Sequence, residues 1–376
     1  MSASLRAMKE PLAKRKLVNL ALQGGGAHGA FSWGVLDRLL EDERIEIEAL
    51  TGASAGAMNA VALAAGSADG DRDEARAALR SFWTGVLREA RNSPLKRSPI
   101  EALLSGWNLD TSPAYVMFDL ITRVASPYDF NPLNLNPLRD LLLELVDFER
   151  VRKSKLKVFI SATSVQTGRA HVWEKKELTA EHVMASACLP LMFQAVEIDG
   201  VPYWDGGFTG NPALWPLFES CRSDDVVLVQ INPVRREGAP RTARDIVNRI
   251  NEITFNASLL RDLRAIDFVG RLIDEGRLEG TGYRRVLMHT IGDEETLSHL
   301  GASSKFNVEP EFIEMLFQRG RAASEAWLRA NFRHLGVKST VDIRGMFQGE
   351  EDSLDGERLK SPRKRKSAAA ARDAGG

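Results

Sequence analysis

From Leu17 onward the chain alternates short apolar runs with longer segments whose apolar residues recur every three or four positions. The first run, Leu17 to Leu22, is broken only by Asn19 and leads through Gln23 into three glycines. This pattern predicts a strand over 17–22, a glycine loop over 23–29 and a helix over 30–41. It then repeats, with a strand over 45–51, a turn over 52–55 and a helix over 56–65. A third helix follows from about Asp71 to Glu89. Such alternation predicts a three-layer α/β/α fold, with a central mostly parallel sheet and helices on both faces.

Residues 92–136 break the rhythm. Pro94, Pro99, Pro113, Pro127 and Pro132 punctuate a stretch that also holds Trp107, Tyr115, Phe118, Tyr128 and Phe130. Two readings stay open, short helices closing one edge of the core or a cap over an apolar substrate channel. The sequence NPLRDLLLELV then predicts a helix with Asn136 as N-cap and Pro137 in its first position. Residues 157–165 and 169–174 read as a hairpin turning at Thr167-Gly168, and 226–231 as a central strand. Between 242 and 278, Ile246, Ile250, Ile253, Leu260, Leu263, Ile266, Val269 and Leu272 form a stripe at helical spacing. It predicts one long amphipathic helix or a broken pair, packed on the core or facing a membrane. RRVLMHTI is a further strand and 309–334 a further helix. The expected organisation is a flexible arm over 1–15, one catalytic domain over 16–345 and a disordered basic tail over 346–376. Within the domain, 92–136 is a candidate cap and 242–340 a C-terminal helical wrap.

Composition narrows the function classes. With 50 Lys and Arg against 51 Asp and Glu, no global field draws the chain to nucleic acid. Two cysteines, Cys188 and Cys221, cannot build a disulfide framework or a four-cysteine metal site, which fits a reducing compartment. The basic residues Lys14, Arg15 and Lys16 precede an apolar run too short and too interrupted for a signal peptide. No apolar stretch is long enough to span a bilayer. The expected location is the cytoplasm, with peripheral membrane contact left open. The PRKRK cluster in the tail is either a solvated charge run or a weak attractor of anionic headgroups.

Three motifs carry chemistry. GGGAHG, from Gly24 to Gly29, fits the glycine pattern of dinucleotide-binding loops, and backbone amides in such a loop can hold a pyrophosphate or an oxyanion. Glu46 and Glu48 lie near the distance at which a ribose-binding acid is expected, but within the second strand. The end of that strand is taken by Gly52-Ala53-Ser54-Ala55-Gly56, a G-x-S-x-G between strand and helix. In that context it reads as a nucleophile elbow, with Gly52 and Gly56 keeping the sharp turn free of clashes. None of the six histidines sits in a distinctive loop after a clear strand. The third motif, Asp205-Gly206-Gly207, offers a carboxylate in a glycine turn as the alternative base for Ser54.

Taken in this order, the glycine loop, the G-x-S-x-G and the D-G-G resemble the patatin-like phospholipase family. The resemblance covers roughly Leu17 to Asn211 and includes ASACLPLMFQAVEIDGVPYWDGG. It implies that Ser54 is the nucleophile and Asp205 its partner in a Ser-Asp dyad. It places Gly24, Gly25, Gly26 and Gly29 in the oxyanion loop, Gly52 and Gly56 in the elbow, and Gly206 and Gly207 in the D-G-G motif. The implied activity is hydrolysis of ester bonds in phospholipids, lysophospholipids and other acyl lipids, with no metal and no cofactor. A thioesterase, a polyester depolymerase or an acyltransferase would share the dyad; a non-catalytic lipid-binding member would not need it. One position departs from the family pattern, because His28 stands where the loop usually carries Arg or Lys. His28 is expected to keep a structural hydrogen-bonding role.

Overall fold

The protein was analysed as a computed structural model that describes residues 15–98, 101–102, 106–236 and 238–349. The expected arm before Arg15 and the basic tail beyond Gly349 fall outside these residues. The first βαβ unit follows the periodicity closely. Strand β1 (Lys16–Leu22) enters a short 3-10 turn over Gly26–His28 and then α1 (Gly29–Glu41); β2 (Ile45–Gly52) enters α2 (Ala55–Gly66) directly. Helix α3 (Arg72–Glu89) starts where Asp71 accepts hydrogen bonds from the Asp73 and Glu74 amides. The cap region contributes α4 (Pro113–Val124), and α5 (Pro137–Leu145) starts from the Asn136 N-cap with proline in its first turn.

The hairpin forms as β3 (Lys157–Ser164) and β4 (Ala170–Glu174). Then come α6 (Ala180–Ser186), the hairpin β5 (Val196–Ile198) and β6 (Val201–Asp205), α7 (Trp215–Ser220) and β7 (Asp225–Val229). The stripe over 242–278 is one unbroken helix, α8 (Ala243–Asp274), followed by β8 (Leu287–Ile291), α9 (Pro310–Asn331) and α10 (Ile343–Gln348). Five parallel strands in the order β3-β2-β1-β7-β8 make the sheet, and β4, β5 and β6 extend it in antiparallel fashion around β3. Strand alternation sends Leu20 and Leu22 into the larger core, with α1, α2, α3 and α9. Ala21, Val226 and Leu228 face the other way, onto α7, α8 and α10. The molecule is thus the expected α/β/α sandwich.

One detail of register sets up everything that follows. Strand β4 covers one side of β3 from Phe159 to Thr163, so β2 and β6 must share the other side. Strand β2 ends there with Gly52 opposite Ile160, and β6 pairs Asp205 opposite Ala162. Strand β6 therefore takes over the edge of β3 where β2 leaves it. The end of β2 and Asp205 are two β3 residues apart, about 7 Å along the strand.

The apolar stripe of α8 has two fates. Leu259, Leu263 and Ile266 are buried in the second core, whereas Ile246, Ile250 and Ile253 are exposed. The 92–136 region is equally uncovered, with Met117, Leu120 and Val124 exposed on α4. Among the described residues no helix is long and apolar enough to cross a membrane.

Helices α1 and α9 meet through glycines, because a Cβ on Gly34 would fall on the Phe317 carbonyl and one on Gly320 on the Phe31 carbonyl. A Cβ on Gly270 of α8 would meet nothing within 4 Å. Urea denaturation should therefore separate two substitutions of the same kind. Gly34→Ala loses about 1–3 kcal/mol through overpacking, while Gly270→Ala gains about 0.5–1 kcal/mol from helix propensity. An unchanged midpoint for Gly34→Ala would contradict the close helix contact.

Candidate active site

Ser54 stands at the turn between β2 and α2 with φ 52° and ψ −123°, a left-handed conformation that a serine adopts only under constraint. Its amide donates to the Ser186 carbonyl at 3.2 Å and the Ser186 hydroxyl at 3.0 Å. The flanking glycines make room for the turn. A Cβ on Gly52 would lie 2.6 Å from the Gly56 backbone, and one on Gly56 would strike the Leu22 carbonyl.

Asp205 ends β6 fully buried. Its amide donates to the Cys188 carbonyl at 2.8 Å, and its carbonyl accepts from the Thr163 hydroxyl at 2.8 Å. Carboxylate Oδ1 accepts from the Gly207 amide at 2.7 Å, whereas Oδ2 is buried with no hydrogen-bond partner among the described residues. Burial pushes the carboxyl up to about 6, opposed by the Gly207 amide, the Ser54 hydroxyl and the charge of Lys305. Ser54 is thus close enough to favour the ionised carboxyl, although the two side chains do not close a full hydrogen bond. That is a common resting geometry for a nucleophile and its base.

The glycine loop lies against the elbow: a Cβ on Gly24 would sit 2.6 Å from Ser54 Cβ. The Gly24 amide donates to Asn211 Oδ1 at 2.6 Å, and the Gly29 amide turns back onto the 3-10 turn. The Gly25 and Gly26 amides have no acceptor among the described residues. The loop's free donors are therefore narrower than its four glycines suggest. A polar scaffold holds it in place. Gln23 Oε1 accepts from the Ile231 and Asn232 amides at 3.0 and 2.9 Å. Asn232 Nδ2 donates to the Gly24 carbonyl at 2.7 Å, and Asn232 Oδ1 accepts from Lys305 Nζ at 2.8 Å.

His28 is buried, and its Nε2 lies 2.8 Å from the Ser304 hydroxyl. That hydroxyl already donates to the Gly301 carbonyl at 2.7 Å, so Nε2 carries the hydrogen and donates. Burial, followed by the charges of Lys305 and Arg236, lowers the imidazole to about 3, so it is neutral at ordinary pH. It ties the loop to the 302–306 turn.

The structure thus brings Ser54 and Asp205 together, with the glycine loop against the elbow at Gly24, while Gly29, Gly52, Gly56, Gly206 and Gly207 let the backbones approach. Gly206 packs on the Ser161 carbonyl and Gly207 against Phe255 and Asp205 Oδ1. Asn211, Asn232 and Lys305 escape a reading of the motifs. Asn211 has a faint signal in the GNP after the D-G-G; the other two have none. Among the described residues no group of His, Cys, Asp or Glu could hold a metal ion.

Burial shifts two groups of this site in opposite senses. His28 takes up a proton near pH 6.5 when unfolded but stays neutral in the fold down to about 3, so acidification through that window favours unfolding. Asp205 protonates near pH 6 in the fold and near 3.8 when unfolded, so acidification between those values favours the fold. From about pH 6 to 4 the two oppose each other. Asp205→Asn removes the compensation, and its stability should fall by up to about 1.4 kcal/mol per pH unit more than that of the native chain. Denaturant titrations at pH 6 and pH 4 measure this; parallel losses in both proteins would show that the two groups do not titrate in these opposed senses.

No curated protein sequence matches the chain. Among solved structures it is similar to the crystal structure of VipD from Legionella pneumophila, at 15% identity and a TM-score of 0.39, covering 85% of this chain and 67% of that one. The family model for patatin-like phospholipase matches residues 20–218, a span that contains the glycine loop, the serine elbow and the D-G-G turn. By that match over more than half its length, the chain belongs to the patatin-like phospholipase family, whose activity is lipid acyl hydrolysis.

Proposed function

We propose that Ser54 and Asp205 act as a Ser-Asp dyad that cleaves acyl ester bonds of phospholipids or lysophospholipids through an acyl-enzyme. The observation that carries this reading is the meeting of three features at one point. A strained serine stands beside a buried carboxylate with one unsatisfied oxygen, and the glycine loop, whose Gly25 and Gly26 amides have no acceptor among the described residues, packs against that serine at Gly24. As the Ser54 hydroxyl attacks the ester carbonyl, Asp205 takes its proton and a tetrahedral intermediate forms. The Gly25 and Gly26 amides then donate to the oxyanion, a stabilisation worth about 3–4 kcal/mol per donor. Asp205 returns the proton to the leaving alcohol, and water attacks the acyl-enzyme by the same route. A carboxyl raised to about 6 suits this cycle, because it is ionised at neutral pH yet basic enough to accept a proton.

A fluorophosphonate probe should label Ser54 in the native chain and not in Ser54→Ala. Mass spectrometry of a mixed lipid panel should show fatty acid released by the native enzyme alone. Asp205→Asn should lower kcat by about 10²–10⁴-fold with the fold retained. The native rate should fall as pH drops through about 6, where Asp205 takes up its proton. Full activity in Asp205→Asn would remove the dyad.

The same reading gives the uncovered apolar residues a role, as the face through which the enzyme meets lipid. Val124 is 80% and Leu133 79% exposed, with Met117 and Leu120 beside them on the cap. This region borders the site. Tyr128 Oη accepts from the Ala195 amide at 3.3 Å, and Gln194 Nε2 donates to the Asn131 carbonyl at 2.9 Å, in the segment that follows α6 and its Ser186. Apolar side chains at a lipid-water boundary gain what they lose in water. The double variant Leu120→Glu, Val124→Glu should bind phosphatidylglycerol-phosphatidylcholine vesicles at least about tenfold more weakly, while keeping hydrolysis of a dissolved p-nitrophenyl ester. Unchanged vesicle sedimentation, or a native chain that uses this face to dimerise, would contradict the assignment.

A further inference from the structure

We propose that the Lys305 ammonium is the anion anchor of this site, holding the phosphate of a phospholipid beside the scissile ester and so favouring phospholipids over uncharged glycerides. The inference rests on the dyad reading and adds to it the side chain that reads the substrate's charge.

An ammonium has three donors, and Lys305 spends one, on Asn232 Oδ1 at 2.8 Å. No carboxylate lies within 4 Å of it among the described residues. Two other cations near the core, by contrast, are neutralised directly: Arg236 by Glu252 at 2.6 Å, and Lys157 by Glu48 at 2.9 Å. Burial pushes the ammonium down from the ordinary lysine range, with Glu252 and Asp205 opposing that from longer range and Arg236 adding to it, so a bound anion would restore the charge that burial disfavours. His28 faces the same space but is neutral. A desolvated cation with spare donors is a ready partner for an anion.

Its place in the site is fixed from two sides. The Lys305 carbonyl packs where a side chain on Gly26 would sit, and its Nζ lies 5.5 Å from the Phe255 ring centre. That ring is pressed against Gly207, whose amide binds Asp205. Through Asn232 the same Nζ is one side chain from the Gly24 carbonyl. The ammonium therefore stands between the oxyanion loop and the base, where a phosphate one glycerol carbon from the ester could reach it. The loop's own His28 is neutral, so the positive charge at this point comes from Lys305 of the 302–306 turn. Lysine meets phosphate as a point charge, which suits a diester whose orientation varies with its headgroup.

Two arms test this. In turnover, the loss of kcat/KM in Lys305→Met should be at least about tenfold larger for dibutyrylphosphatidylcholine than for dibutyrylglycerol. Lys305→Arg should recover most of the difference. In binding, Ser54→Ala should hold dibutyrylphosphatidylcholine more tightly than either dibutyrylglycerol or inorganic phosphate, and adding Lys305→Met should erase that preference. Equal losses on both esters would mean that Lys305 only supports Asn232, and would overturn the proposal. So would tightest binding of inorganic phosphate, which would assign the anchor to the free ion. The binding arm decides for Lys305 even if the native chain turns over neither ester, a result that would fall on the dyad reading instead.

Discussion

Gly24 and Ser54 can touch only because neither turn carries bulk at the point of contact. A Cβ on Gly24 would lie 2.6 Å from Ser54 Cβ and 2.8 Å from the Ala53 carbonyl, and one on Gly56 would strike Leu22. Strands β1 and β2 are adjacent and parallel, so the loops at their C-terminal ends necessarily emerge side by side. What the glycines add is that the loops emerge in contact. The glycine loop after β1 therefore lies directly against Ser54 after β2. The left-handed backbone of Ser54 is maintained by the same crowding, with its amide held on Ser186 from the opposite side. Strain at this residue is stable because the surrounding packing allows no relaxed alternative.

The second requirement is a carboxylate in a place where carboxylates are costly. Asp205 is buried with one oxygen unsatisfied, and only the Gly207 amide, the Ser54 hydroxyl and the charge of Lys305 favour its ionised form. A better-solvated aspartate would be easier to bury but a poorer base, since each added hydrogen bond lowers its affinity for the proton. The in-line takeover of the β3 edge by β6 makes the placement possible. Asp205 is the last residue of a strand, its amide and carbonyl fixed by Cys188 and Thr163, so the side chain has little freedom to swing toward water.

Much of this was legible in the chain. The first two βα units, the 157–174 hairpin and the D-G-G turn follow from local periodicity and glycine placement. The motifs name Ser54 and Asp205 because both lie in turns whose backbone demands specific neighbours. Other features are set by partners far away in sequence. That β6 continues the edge left by β2 depends on β4 covering the opposite side of β3, which no single segment encodes. The stripe of α8 looks uniform in sequence, yet Leu263 is buried and Ile250 exposed, because the sheet lies under only part of the helix. Asn232 and Lys305 are ordinary polar residues locally, and their importance comes from contacts with a loop about two hundred or more positions away.

This division has a physical consequence for how the site works. The proposed reacting groups, Ser54 and Asp205, lie within 20–218, the span of the family match, and are held by tightly packed backbone turns. The groups that set its polarity, Asn232, Asn256, Ser304 and Lys305, come from the following segment and reach the loop through side chains. Side-chain contacts can be exchanged without altering the turn that carries the nucleophile. His28 itself brings no charge to the site. Burial keeps it neutral, and the positive charge near the base is carried by a lysine on another element, so the elbow and the D-G-G turn stay as they are while the field around them is supplied from elsewhere.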